Sequence, residues 1–231
     1  QLIQENSVVQ SGHYSTDVQA GIMLAGNLWF PVMVGIGGVL FFVTPMIAQL
    51  YGAKEIRDIG PLARQAAWLS LPIVLIGMFI LSQASFILTL AKVDPSIIKY
   101  SEEYLSYFVF ALPAILLSQP LRSLCEGVTR PLPITMLNVL MLMIAIIGNY
   151  TFIYGNFGFP EMGARGAGLS AVIGTWSTFI LLIIYLKYKS AFGTEVFKRF
   201  DWPDYRKIKE ILVGGIPVGL GNFIELSMFS G

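Results

Sequence analysis

Charge is scarce in this chain, and so are the side chains that cross-link a fold or hold a metal. Only 13% of its 231 residues are Asp, Glu, Lys or Arg, and it has one cysteine and one histidine. The lone thiol, Cys125, excludes an internal disulfide and has no second cysteine or histidine cluster to complete a metal site; by type it is a small buried apolar residue. His13 lies outside the apolar runs and is assigned to a loop. A net charge of +1 gives no electrostatic footprint for nucleic acid. No Walker loop, HExxH helix, GxSxG elbow or kinase-type glycine loop occurs, so neither an ATP motor nor a familiar intramembrane hydrolase is signalled. With no nucleophile and base pair in view, an enzyme is disfavoured, and energy for any transport must come from an ion gradient. Residues 1–12 lack the basic and compact apolar regions of a cleavable signal peptide.

What the chain has instead is long uncharged apolar runs. Residues 18–53, 65–91, 104–121, 131–160 and 166–186 contain no Asp, Glu, Lys or Arg. Unpaired charge is too costly to leave in hydrocarbon, and about 20 apolar residues cross it as a helix. A hydrophobic fraction of 55% and a mean hydropathy of +0.69 suit a polytopic bundle. The fold class is therefore all-α, a membrane helix bundle. Helices are predicted over 16–51, 62–90, 95–128, 131–154 and 166–188, with a sixth opening at Lys209. Ser15, Thr16 and Asp17 offer an N-cap, Pro61 suits a first turn, and Asp94 with Pro95 makes a cap and N1 pair. Pro31, Pro72, Pro113, Pro120 and Pro217 fall inside spans, where the missing N–H should bend or break the helix. Bent helices can line cavities, so the pattern favours a transporter over a rigid anchor. The absence of Met at position 1 and the apolar end at Gly231 read as a piece of a longer protein.

Basic residues vote on orientation. Lys54, Arg57, Arg64, Arg122, Arg130, Lys187, Lys189, Lys198, Arg199, Arg206, Lys207 and Lys209 fall on one side, and Lys92, Lys99 and Arg165 on the other. The first group is cytoplasmic by the positive-inside rule. The longest connection on that side carries an amphipathic piece, residues 203–212, expected to lie at the lipid surface.

Glu225 is the sharpest single position, fourteen uncharged residues beyond Glu210. An ionisable group at that depth costs several kcal/mol unless paired, protonated or wetted. A raised pKa or a bound cation is expected there. Asn27, Gln49, Gln119, Asn138, Asn149 and Asn222 are amides in or near spans, most of them suited to bonding between helices. Asn149 and Asn222 are the candidates for facing substrate in a cavity. The aromatic groups Trp176 with Phe179, and Tyr104, Tyr107 and Phe108, read as core or interface belt rather than a drug pocket.

Several segments together resemble one family. Pro45, Ala48, Gln49, Gly52 and Ala53 match the P-x-x-A-Q-x-x-G-A signature of multidrug and toxic compound extrusion (MATE) transporters of the NorM-like branch. Leu121, Arg122 and Ser123 with Glu126, Gly127 and Pro131 are similar to the L-R-S…G…P element after the fourth helix. Residues 149–158 with Pro160, Gly163, Gly166, Ala167 and Gly168 resemble the connection from fifth to sixth helix, and Gly215, Ile216, Pro217 and Glu225 the opening of the seventh. The resemblance implies twelve helices in two six-helix lobes, with a central cavity that exchanges cationic amphipathic compounds for sodium ions or protons in a bacterial inner membrane. It makes residues 1–190 the amino-terminal lobe with its first helix incomplete, 191–208 a cytoplasmic linker, and 209–231 the start of helix seven. The partners implied are small cationic drugs, the lipid bilayer and a second lobe of the same polypeptide, with no cofactor beyond the coupling ion.

By matched position Glu225 corresponds to a seventh-helix acid implicated in cation coupling, and Asn149 to a fifth-helix asparagine facing the amino-terminal cavity. Two departures stand out. Ala145 holds the place of a second asparagine four residues before Asn149, and Ser7 holds the place of an aspartate near the end of helix one. Either the first stretch is not native sequence, or the amino-terminal lobe lacks its acid, and the second reading throws weight onto Glu225. A lipid-linked oligosaccharide flippase of the same superfamily would line its cavity with Arg or Lys to hold pyrophosphate, and the apolar runs have none. A seven-helix receptor or scaffold is the rival from another class; it would not repeat a six-helix unit.

Overall fold

A computed structural model describes Ser7, Thr194 and residues 16–90, 94–129, 131–189, 196–197 and 199–229, and these are helical with no strand among them. His13 and the Ser15 cap lie outside the described residues. The helices are α1 (Thr16–Phe41), α2 (Val43–Gly52), α3 (Ile56–Ser82), α4 (Ala84–Leu90), α5 (Pro95–Phe108), α6 (Leu112–Gly127), α7 (Leu132–Phe152), α8 (Ala164–Tyr188) and α9 (Tyr205–Phe229). Five stretches are long and apolar enough to cross a membrane: Thr16–Gly52, Ile56–Ser82, Ile97–Gly127, Leu132–Phe152 and Ala164–Tyr188. The five uncharged runs of the sequence coincide with them.

Prolines explain two interruptions inside these spans. Pro45 has no N–H for the Phe41 carbonyl, and α1 ends there; in the first turn of α2, Met46 N–H reaches the Phe42 carbonyl only at 3.4 Å. Pro113 likewise cannot bond Val109, and the chain tightens into a 3-10 turn, Val109–Ala111, in which Leu112 N–H takes that carbonyl instead. Pro31, Pro72, Pro120 and Pro217 sit within unbroken helices, so the expected break occurs at only some of these sites. Asp94 and Pro95 open α5 as expected, the Asp94 carbonyl accepting from Ile97 and Ile98 at 3.1 Å.

Two boundaries differ from the sequence reading. α3 begins at Ile56, not at residue 62, which carries Pro61 past the first turn. The sixth helix opens at Tyr205, not at Lys209, so most of the amphipathic piece 203–212 forms the first turns of α9. The physical reason is the same in both cases. Absence of charge marks where hydrocarbon begins, whereas a helix ends where its backbone bonds run out, several charged residues later.

The described residues divide into two compact units. The first comprises residues 1–30, 77–114 and 138–178, and the second residues 31–76, 115–137 and 179–231. In the first unit α5 packs on α1 where Gly21 faces the Tyr100 Cβ, and Ser101 Oγ donates to the Gly21 carbonyl at 2.8 Å. α8 lies against α5 at Gly168, where a Cβ would stand 2.6 Å from the Tyr104 carbonyl oxygen. α7 and α8 meet through Ser170 Oγ, which donates to the Ala145 carbonyl at 3.2 Å. Gly155 turns the chain between them at φ +68°, a conformation L side chains avoid.

In the second unit α1 and α9 touch backbone to backbone. A Cβ on Gly38 would stand 2.6 Å from Gly219 Cα, and one on Gly215 would stand 2.5 Å from the Val39 carbonyl oxygen. α2 meets α6 where Gly127 faces Ile47, and Thr44 Oγ1 donates to Ser123 Oγ at 2.9 Å. Large apolar side chains turn outward on the spans, among them Leu75, Phe79, Leu132 and Met136. α7 is apolar yet little buried, a combination that suits lipid rather than water.

The Gly38 contact gives a direct test. Gly38→Val must push α1 from α9, and overpacking of this kind costs about 1–3 kcal/mol, so a lowered melting temperature in detergent is expected. Gly52→Ala, with nothing within 4 Å of its added Cβ, should melt like the parent.

Candidate functional site

Two polar loci carry the residues singled out from the sequence, one in each unit. In the first unit Asn149 is fully buried near the end of α7, and its Nδ2 donates to Ser7 Oγ at 2.9 Å. Ser7 is itself fully buried. The residue holding the place of the helix-one acid therefore lies directly against the fifth-helix asparagine. Asn149 Oδ1 has no hydrogen-bond partner among the described residues, an acceptor that costs about 1–3 kcal/mol when left so in a dry interior. Ala145, one turn earlier, is buried beneath Ser170, so the place of the second asparagine is filled by packing between α7 and α8.

In the second unit Glu225 is exposed on α9, and Asn222, one turn before it, is half-buried. Gly221 completes that face with no atom within 4 Å of an added Cβ, so the surface leading to Glu225 is bare. Around it the helix exposes Val213, Leu220, Phe223 and Ile224. The Phe223 ring seats on Gly35, where a Cβ would come within 3.3 Å. Asn149 belongs to the first unit, and Asn222 and Glu225 to the second.

Other sequence candidates take structural places. Trp29 stacks obliquely on Phe108 at 4.6 Å and Tyr104 lies parallel to Phe108 at 5.4 Å, all three buried, so this aromatic group is core. Trp176 Nε1 donates to the Phe110 carbonyl at 2.9 Å. Cys125 is buried and unpaired. Asn27 and Gln49 are exposed, and Gln119 and Asn138 half-buried. Among the described residues no group of three or more His, Cys, Asp or Glu side chains could hold a metal ion. In the first unit a cleft lined by Val18, Tyr100, Glu103, Glu161 and Met162 has one of its acids balanced, since Arg165 Nη2 meets Glu103 Oε1 at 3.1 Å.

One constellation was missed from sequence. Arg64 pairs with Asp201 and donates to the Val196 carbonyl at 3.2 Å, while Trp68 Nε1 donates to the Asp201 carbonyl at 2.9 Å. Gln65 donates to the Trp202 carbonyl at 2.9 Å and accepts from Asp204 N–H at 2.7 Å. Successive turns of α3 thus grip the segment that precedes α9. Its partners lie more than 130 positions apart, and the sequence signal was slight: Asp201 and Asp204 close to α9 in a connection rich in Lys and Arg.

A family profile described as MatE matches residues 1–151. The chain belongs to this family. The chain is also similar to a relative named "Probable multidrug resistance protein NorM" from Shewanella oneidensis, 31% identical over 96% of this chain and 49% of that protein. The MATE fold recurs in a solved inward-facing multidrug resistance MATE family transporter, with a TM-score of 0.85, 17% identity and coverage of 96% of this chain and 50% of that one. It also recurs in the MATE transporter NorM-NG, solved in complex with a monobody, with a TM-score of 0.75, 25% identity and coverage of 99% and 52%. The chain spans about half the length of the curated MATE relatives it matches. It is a multi-pass membrane bundle from a family of transporters, not of catalysts.

The Ser7–Asn149 pair predicts a measurable coupling. Ser7→Ala should destabilise the full-length protein by about 1–3 kcal/mol, because it strands the Asn149 amide. Ser7→Ala with Asn149→Ala should cost less than the two single changes summed, read from melting temperatures in a double-mutant cycle.

Proposed function

We propose that this chain forms the amino-terminal lobe, linker and opening seventh helix of a cation-coupled multidrug antiporter, divided at residues 1–190, 191–208 and 209–231. The full transporter exports cationic amphipathic compounds across the bacterial inner membrane in exchange for sodium ions or protons. Glu225 is the coupling acid. It is the carboxylate that follows fourteen uncharged residues on α9, beside the open face of Gly221 and Asn222, and this placement carries the reading. A charge in such apolar company is tolerated when a cation or proton neutralises it.

Support also comes from the amino-terminal lobe. With Ser7 against Asn149, that locus offers hydrogen bonds but no carboxylate from either residue. Asn222 binds substrate as a neutral amide, and Asn149, buried against Ser7 in this structure, does so through the Oδ1 that has no partner among the described residues. Exchange then follows from competition: drug or ion, but not both, satisfies Glu225, and each favours a different access state. Relatives named as probable multidrug resistance proteins, from Shewanella oneidensis and Acinetobacter baylyi, support this substrate class.

Glu225→Gln is the decisive variant. In proteoliposomes of the full-length protein, it should melt like the parent yet lose drug efflux driven by an imposed sodium or proton gradient. Glu225→Asp should retain part of it. Wild-type coupling in Glu225→Gln would remove this residue from the mechanism.

A further inference from the structure

The segment entering α9 is held chiefly by its backbone, with one ring contact, Phe200 edge to face on Trp68 at 5.9 Å. Arg64, Gln65 and Trp68 occupy the Val196, Asp201 and Trp202 carbonyls and the Asp204 N–H. Gly60 makes room for the Thr194 carbonyl, which a Cβ there would overlap. With the backbone fixed in this way, the largest side chains turn outward. Phe200 is 71% exposed, Trp202 78% and Tyr205 77%, and Phe200 and Trp202 meet edge to face at 5.6 Å. Rings with a polar edge or an amphipathic body sit best at the level of lipid headgroups.

The charges on this surface do not balance. Asp201 is committed to Arg64, and Asp204 Oδ1 accepts the Arg206 N–H at 2.9 Å, capping α9. Asp201 is thus neutralised within the protein, whereas Asp204 is bonded but keeps its charge. Arg199 and Arg206 are exposed and have no ion-pair partner among the described residues, and residues 187–210 together carry seven Lys or Arg against four Asp or Glu. The basic-residue count places this side of the bundle in the cytoplasm.

We infer that the clamped segment, through Phe200, Trp202 and Tyr205 with Arg199 and Arg206, is a docking surface for acidic phospholipid headgroups of the cytoplasmic leaflet. The rings enter the headgroup layer and the two guanidiniums take the phosphates, which they can hold bidentately. The clamp on α3 supplies preorganisation, because the backbone at Asp201, Trp202 and Asp204 is already held.

The test uses the full-length protein in bilayers of phosphatidylethanolamine containing equal fractions of either dibrominated phosphatidylglycerol or dibrominated phosphatidylcholine. The Trp202 signal is the fluorescence difference between the parent and Trp202→Phe. Phosphatidylglycerol should quench it more strongly than phosphatidylcholine. Arg199→Gln with Arg206→Gln should lower the relative affinity for the acidic lipid by roughly tenfold or more while leaving the melting temperature unchanged. If the double variant fails to fold, each single change is read by the same criterion. Equal quenching by the two lipids, a preference that survives loss of both arginines, or a Trp202 that neither lipid reaches because protein covers it, would each overturn the inference. Transport plays no part in the readout, so it stands or falls apart from the antiporter assignment.

Discussion

In hydrocarbon an apolar side chain gains nothing by leaving lipid for a neighbouring helix, so contact has to come from close backbone approach and from hydrogen bonds between spans. Each unit is put together on that condition. α1 and α9 touch through Gly38 and Gly219, α5 and α8 through Gly168 and the Tyr104 carbonyl, and α2 and α6 through Gly127 and Ile47. Ser101, Ser170 and Thr44 add the interhelical bonds. The apolar side chains that would form the core of a soluble protein, such as Leu75, Phe79 and Met136, are free to face outward.

Under the same condition, polar groups inside the spans become informative. Most are settled locally: Ser70, Thr151 and Thr178 bond the carbonyl four residues before them. Asn149 is different, since its amide bonds a residue 142 positions away and its oxygen has no partner among the described residues. Glu225 is different in another way, as a charge on a helix whose neighbours are apolar. These two sites divide the labour in the proposed exchange, with neutral hydrogen bonding in one and ion coupling in the other.

Much of the architecture was legible because lipid is an unforgiving solvent. A span cannot hide a charge, so the uncharged runs located all five crossings. Helix ends were less legible. α3 starts six residues before the predicted Leu62, since Arg57, Asp58 and Arg64 can remain helical once they have left the hydrocarbon. The break at Phe42 follows from Pro45, which was noted as part of a family signature but not for its missing N–H. The amphipathic piece expected at the lipid surface supplies the first turns of α9, which opens four residues before the predicted Lys209.

By itself the sequence determined the solvent, the number of crossings and the family, because each depends on residue type and spacing along the chain. It also singled out Ser7, Asn149 and Glu225 as positions. Only the tertiary structure decided that Ser7 bonds Asn149, that Gly38 meets Gly219, and that Arg64, Gln65 and Trp68 fasten the segment before α9. Those pairings depend on which helix faces come together, and a face carries no mark in the sequence of the distant partner it will meet.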